Sequence, residues 1–185
     1  MQRLSREIVE QVIDQSDTAQ FYEENWAFQT GVPLHCVRKT RVEGPSKGPV
    51  VLVHGFAQNR YSWHTSKRSM QNGLAALGWD VYNLELRGHG LSRDRRGTVP
   101  NSFADYAEDV ARVAEHFKGR AFFVGHSLGG AACYAGATLA PMAGVVGIGA
   151  LFTFGQGNAS LKGVARLTQA VRPFLLERGR INTSW

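Results

Sequence analysis

Apolar and polar positions along the chain change period several times. Leu4, Ile8, Val9, Val12 and Ile13 fall at helical spacing, which predicts a short amphipathic helix over Leu4–Ile13. From Thr18 to Val42 the pattern turns β-like. Glu23–Thr30 and Leu34–Val42, joined by Gly31-Val32-Pro33, predict an antiparallel hairpin. Glu43–Gly48 is a polar loop. A regular alternation follows. Val50–His54 is a continuous apolar run, suited to a strand buried on both faces. Tyr61–Leu77 carries Trp63, Met70, Leu74 and Leu77 at near-helical spacing and stops at Gly78, although Gly73 weakens it. Val81–Leu86 predicts the next strand. Phe103–Phe117 is the clearest helix, with Phe103, Tyr106, Ala107, Val110, Ala114 and Phe117 in one stripe. Ser102 and Asp105 stand in capping-box spacing ahead of it, and Gly119 closes it. Ala121–Gly125 predicts a strand, Leu128–Leu139 a helix ended by Pro141, and Val145–Phe154 a further strand.

Strands alternating with helices of these lengths place the chain in the α/β class. The expected architecture is a doubly wound, mostly parallel sheet with an N-terminal antiparallel hairpin. Residues 1–154 form its core. Residues 155–185 break the rhythm, with Gly155 and Gly157 at their start and Pro173 inside a mixed helical pattern. There is no internal repeat.

Length and composition narrow the partners. A chain of 185 residues suffices for one domain with a sizeable core, and 43% hydrophobic content is ordinary for a globular protein. The net charge of +6 is uneven. From Gly155 onward five cations face one anion, and Arg87, Arg93, Arg95 and Arg96 cluster around Asp94. Neither group sits on a nucleic-acid motif or interleaves with aromatics, so no nucleic-acid partner is expected. No apolar run is long enough for a transmembrane segment, and the first twenty residues lack a signal-peptide core. Cys36 and Cys133 make no disulfide framework, which points to a cytoplasmic setting. His35, His64 and His116 stand alone without zinc-ligand spacing, so no metal site is expected. Oligomeric state is not legible.

Chemistry concentrates in the turns. Gly125-His126-Ser127-Leu128-Gly129 fits G-x-S-x-G between a predicted strand and a predicted helix. A serine on so sharp a turn takes a strained backbone, and positions two before and two after it admit only small residues. Ser127 is the candidate nucleophile. The Leu128 amide, at the helix start, can face a developing oxyanion. In Val53-His54-Gly55-Phe56, Gly55 turns the chain so that the Phe56 amide becomes the second donor. His54 ties that loop together, and Gly55, Gly125 and Gly129 support the two turns. Arg87-Gly88-His89-Gly90-Leu91-Ser92 is a turn buttressed by Arg87 and His89. His126 is a packed neighbour and Cys133 a core residue. Phe56, Tyr61 and Trp63 fit either an apolar acyl pocket or the core.

"VLVHGF", "LELRGHGLS" and "VGHSLGG", in this order and spacing, resemble the α/β-hydrolase superfamily from about Gln20 to Phe154. The resemblance implies a triad in the order serine, acid, histidine, with Ser127 as nucleophile and Phe56 and Leu128 as oxyanion donors. It implies a small-molecule ester or acyl substrate and no metal or organic cofactor. A serine nucleophile speaks against the dehalogenase and epoxide-hydrolase branches, which use aspartate. The departure is downstream: beyond Ser127 the only acid is Glu177, and no histidine follows. The region after Phe154 resembles the start of a cap, and the expectation is a C-terminally truncated chain with little or no turnover. The alternatives are an acyltransferase of the same fold, or a binding module that keeps the fold without the chemistry.

Overall fold

Alternation along the central strands sets the two faces of the sheet. In β4 (Pro49–Val53), Val50 and Leu52 join an apolar cluster with Phe21, Trp63, Ala75 and Val124, whereas Val51 and Val53 join another with Leu84, Val110, Ala132 and Phe123. The computed structural model describes residues 1–29, 31–93, 100 and 102–150. In chain order the strands are β1 (Gln2–Asp14), β2 (Asp17–Gln29), β3 (Pro33–Arg41), β4, β5 (Asp80–Leu84), β6 (Phe122–His126) and β7 (Gly144–Ile148). They form one seven-stranded sheet in the order β1-β2-β3-β5-β4-β6-β7. Strands β1 to β3 and the β3–β5 pair are antiparallel; β5, β4, β6 and β7 run parallel. This is the expected mixed sheet, parallel in its central strands and antiparallel in its N-terminal part.

Helix α1 (Met70–Ala76) contributes Ala75 and Leu74 to the first cluster, and α2 (Phe103–Phe117) and α3 (Leu128–Gly136) cover the other. The capping box of α2 forms, with the Ser102 N–H donating to the Asp105 carboxylate at 3.0 Å. The left-handed residue that ends α2 is Lys118 (φ +51°), one position before the glycine expected to close it.

Two predicted elements are corrected. The segment Leu4–Ile13 is not a helix but most of β1, paired along its length with β2. Its apolar positions fit both periods, but Ile8, Val9, Val12 and Ile13 are β-branched and β2 offers a long partner. Only Val9 and Ile13 pack against the core, while Leu4 and Ile8 stay exposed. The predicted helix Tyr61–Leu77 shrinks to a 3-10 turn at Arg60–Ser62 and the α-helix from Met70. Between them, the Thr65 N–H and side-chain oxygen both bond the Arg68 carbonyl, a local turn that competes with helix. The end of the predicted strand Val145–Phe154, the Asp94–Arg96 part of the basic cluster and the expected cap region 155–185 lie outside the described residues. Among the described residues no helix is long and apolar enough to cross a membrane.

Candidate active site

Three loops leave the C-terminal ends of adjacent parallel strands, and the candidate residues sit on them. The first joins β6 to α3 through a single residue, Ser127. Its backbone lies at φ +51°, ψ −117°, a conformation that costs a non-glycine residue about 1–3 kcal/mol. Surrounding contacts hold it there. The Ser127 N–H donates to the Ile148 carbonyl at 3.0 Å, and the Ala131 N–H donates to the Ser127 carbonyl at 3.1 Å.

The flanking glycines are required by close backbone approach. A Cβ on Gly125 would lie 2.5 Å from the Gly129 carbonyl carbon, and one on Gly129 would lie 2.5 Å from the Val53 carbonyl oxygen. Gly130 carries the same restriction, 2.8 Å from the Gly125 carbonyl oxygen. Leu128, the first residue of α3, has an amide with no partner inside the helix. The Ser127 side chain does not cap that helix.

The second loop leaves β4. The Gly55 N–H donates to the Gln58 side-chain oxygen at 3.0 Å, and the Gln58 N–H donates to the Gly55 carbonyl at 3.3 Å. This tight turn carries Ala57 at φ +56° and leaves the Phe56 side chain exposed. The same Gln58 oxygen accepts from His126 Nδ1 at 3.1 Å, so one carboxamide ties this loop to the residue preceding Ser127. His54 is fully buried. Its Nδ1–H donates to the Gly55 carbonyl at 2.8 Å and its Nε2 accepts from the Leu86 N–H at 3.1 Å. Burial outweighs the Gly55 hydrogen bond and lowers its pKa to about 4, so the ring is neutral near pH 7.

The third loop, Arg87–Ser92, follows β5 and wraps a buried carboxylate, Glu85. Glu85 accepts from Arg60 at 3.1 Å and from the Leu91 N–H at 2.6 Å. Arg87 makes two bonds of 2.6 Å to Asp109 on α2, and His89 Nδ1 donates to the Arg87 carbonyl at 2.9 Å. Burial raises the Asp109 pKa, although Arg87 opposes it. Arg87 and His89 are thus the buttresses expected of them.

No histidine among the described residues is hydrogen-bonded to the Ser127 hydroxyl. His54, His89 and His126 have the partners just given, and His64 Nδ1 bonds Ser69 at 2.9 Å. His116 packs on Phe28, and His35 is bridged through its backbone to Ser92 and Glu85. Cys133 and Cys36 are buried thiols whose pKa values burial pushes up, consistent with core roles. Trp63 belongs to the core, whereas Phe56 and Tyr61 are exposed. Two cavities, of about 350 and 250 Å³, are lined by other residues and include none of Ser127, Phe56 and Leu128. Among the described residues no cluster of His, Cys, Asp or Glu could hold a metal ion.

Gln58, Glu85 and Asp109 were not singled out from the sequence. Asp109 carried a signal: a carboxylate on the inward side of an apolar helix, with an arginine at the preceding strand end to meet it.

Comparison with known proteins decides the family. A model of the alpha/beta hydrolase family matches residues 50–184. The chain belongs to that family. Epoxide hydrolase B of Mycobacterium tuberculosis is 34% identical over 140 residues, covering 70% of this chain and 38% of the relative. A serine hydrolase-like protein of Danio rerio is 36% identical over 92 residues, covering 49% of this chain and 27% of the relative. Among solved structures, an M. tuberculosis esterase superimposes with a TM-score of 0.55 at 25% identity, covering 85% of this chain and 50% of that one. The α/β-hydrolase chain thus spans well under half the length of these curated relatives.

Proposed function

We propose that this α/β-hydrolase chain carries the nucleophile half of a serine hydrolase acting on carboxylic esters or related acyl compounds. The observation that carries the reading is the backbone of Ser127, held at φ +51°, ψ −117° between β6 and α3. In the proposed reaction the Ser127 oxygen attacks the ester carbonyl, and the negative charge moves to the carbonyl oxygen. The amides of Phe56 and Leu128 stabilise that charge; one such donor is worth roughly 10²–10³ in rate. Collapse expels the alcohol, which takes up the serine proton, and leaves an acyl-serine for water to cleave.

A serine at this position also bears on which of the chemistries named for the relatives is favoured. Attack of a serine oxygen on an epoxide gives an ether, which has no carbonyl for water to attack. An acyl-serine ester keeps one. A serine nucleophile therefore supports acyl chemistry over epoxide opening, despite the relative named an epoxide hydrolase.

The reaction needs a base that the described residues do not bring to Ser127. Without it, positioning and the oxyanion donors leave a residual of roughly 10³–10⁴ over water. A p-nitrophenyl ester supplies the test. The 185-residue chain should release at most about one equivalent of nitrophenolate, slowly, and Ser127→Ala none. Rapid multiple turnover abolished by Ser127→Ala would reveal a base within the chain. Equal release by wild type and Ser127→Ala would remove the nucleophile.

A further inference from the structure

The larger cavity, about 350 Å³, lies at the other end of the sheet from Ser127. It sits where β3 ends and β5 begins, whereas the candidate active site occupies the strand ends after β4 and β6. Four arginines line it, Arg3, Arg6, Arg38 and Arg41, against two carboxylates, Glu24 and Asp80. Glu24 is buried and shared: it meets Arg38 at 2.7 Å, Arg3 at 3.3 Å and Arg6 at 3.5 Å. Asp80 meets Arg38 at 2.9 Å. The lining therefore holds two positive charges more than it neutralises.

Arg41 is the group left over. It makes no ion pair among the described residues, and its one side-chain hydrogen bond donates to the Pro45 carbonyl at 2.8 Å. Its Nε is buried without a partner, as is the Nε of Arg38. The guanidinium also lies close to two glycines. It is packed against Gly44 and Gly78, where a Cβ would come within 2.7 and 3.3 Å of it. Holding a half-buried cation with an unmet N–H is costly unless an anion completes the site.

We propose that this arginine-lined cavity binds a phosphate-bearing ligand. A guanidinium presents a fork of donors matched to phosphate oxygens. A phosphate monoester carries about −1.5 to −2 charges at neutral pH, which balances the surplus. A carboxylate balances only half of it. The site stands apart from the proposed acyl chemistry and does not depend on it.

The test is calorimetric titration of the full chain with inorganic phosphate, glycerol phosphate and acetate at constant ionic strength. Saturable phosphate binding, tighter than acetate, is expected. Arg41→Gln, which breaks no ion pair, should weaken it at least tenfold. Arg41→Lys, which keeps the charge but not the fork, should fall between. Phosphatidylcholine vesicles with and without phosphatidate separate the sources: retention only with phosphatidate assigns a lipid headgroup, and binding of glycerol phosphate without retention assigns a soluble ester. Absence of saturable phosphate binding in the wild type overturns the proposal. So does equal affinity in the wild type and a folded Arg41→Gln. Should Arg41→Gln not fold, Arg3→Gln/Arg6→Gln must weaken binding instead, and unchanged affinity there overturns it.

Discussion

Replacing Gly129 by alanine tests whether the turn around Ser127 is sterically forced. Two effects of opposite sign compete. Gly129 lies in the first turn of α3, and a glycine-to-alanine change inside a helix ordinarily stabilises by roughly 0.5–1 kcal/mol. The added methyl, however, would meet the main chain of β4, 2.5 Å from the Val53 carbonyl oxygen and closer still to that of His54. That is roughly 1 Å short of ordinary non-bonded separation. Main chain in the middle of a sheet cannot move aside as a flexible side chain can. Overpacking of this kind costs about 1–3 kcal/mol, so the steric term wins. Gly73 is the internal control. It also sits inside a helix, α1, but its nearest neighbour would be the Ile13 side chain at an unstrained 3.8 Å. Urea denaturation of both variants gives the comparison. Gly129→Ala should lower the midpoint and Gly73→Ala should raise it, with an unchanged slope in each case. A Gly129→Ala variant as stable as Gly73→Ala would refute the claim that backbone approach fixes the G-x-S-x-G pattern.

Other consequences follow from the same geometry. Ser127→Gly should gain about 0.5–2 kcal/mol in denaturation, because glycine adopts the strained backbone freely, whereas Ser127→Ala should change stability by less than about 0.5 kcal/mol. Protonating His54 breaks the bond from Leu86. Its pKa is about 4 folded against 6.5 unfolded, so the neutral ring's contribution is complete above pH 6.5 and declines as pH falls toward 4. Of order 3 kcal/mol is at stake, read as the pH dependence of the urea midpoint, and His54→Gln should flatten that dependence. Asp109→Ala should cost about 1–3 kcal/mol, because Arg87 loses both of its short bonds and keeps Asp105 at 3.4 Å, a loss visible as a lower melting temperature.

Elements whose pattern had a single period were legible before the fold was seen. Phe103–Phe117 could only bury one helical stripe, and Val50–His54 could only lie inside a sheet. The G-x-S-x-G turn was legible because its steric demand falls on residues next to it in sequence. Leu4–Ile13 was not, since its apolar spacing suits a helix and a strand alike, and pairing with β2 decides between them. Gln58 escaped for a related reason. Its side chain bridges Gly55 and His126, which are 71 residues apart and meet only once β4 and β6 lie side by side. The Arg41 cavity is likewise assembled from β1, β2, β3 and the start of β5, and no local pattern marks it.

Acylation of one oxygen is what the proposed chemistry stands on. The folded chain, incubated with an activated ester and analysed by intact mass, should gain a single acyl group. Fragmentation of the tryptic peptide Ala121–Lys162 should place it on Ser127. An adduct on His126 or Cys133, or a folded chain whose Ser127 stays unmodified while other surface groups react, would contradict the assignment.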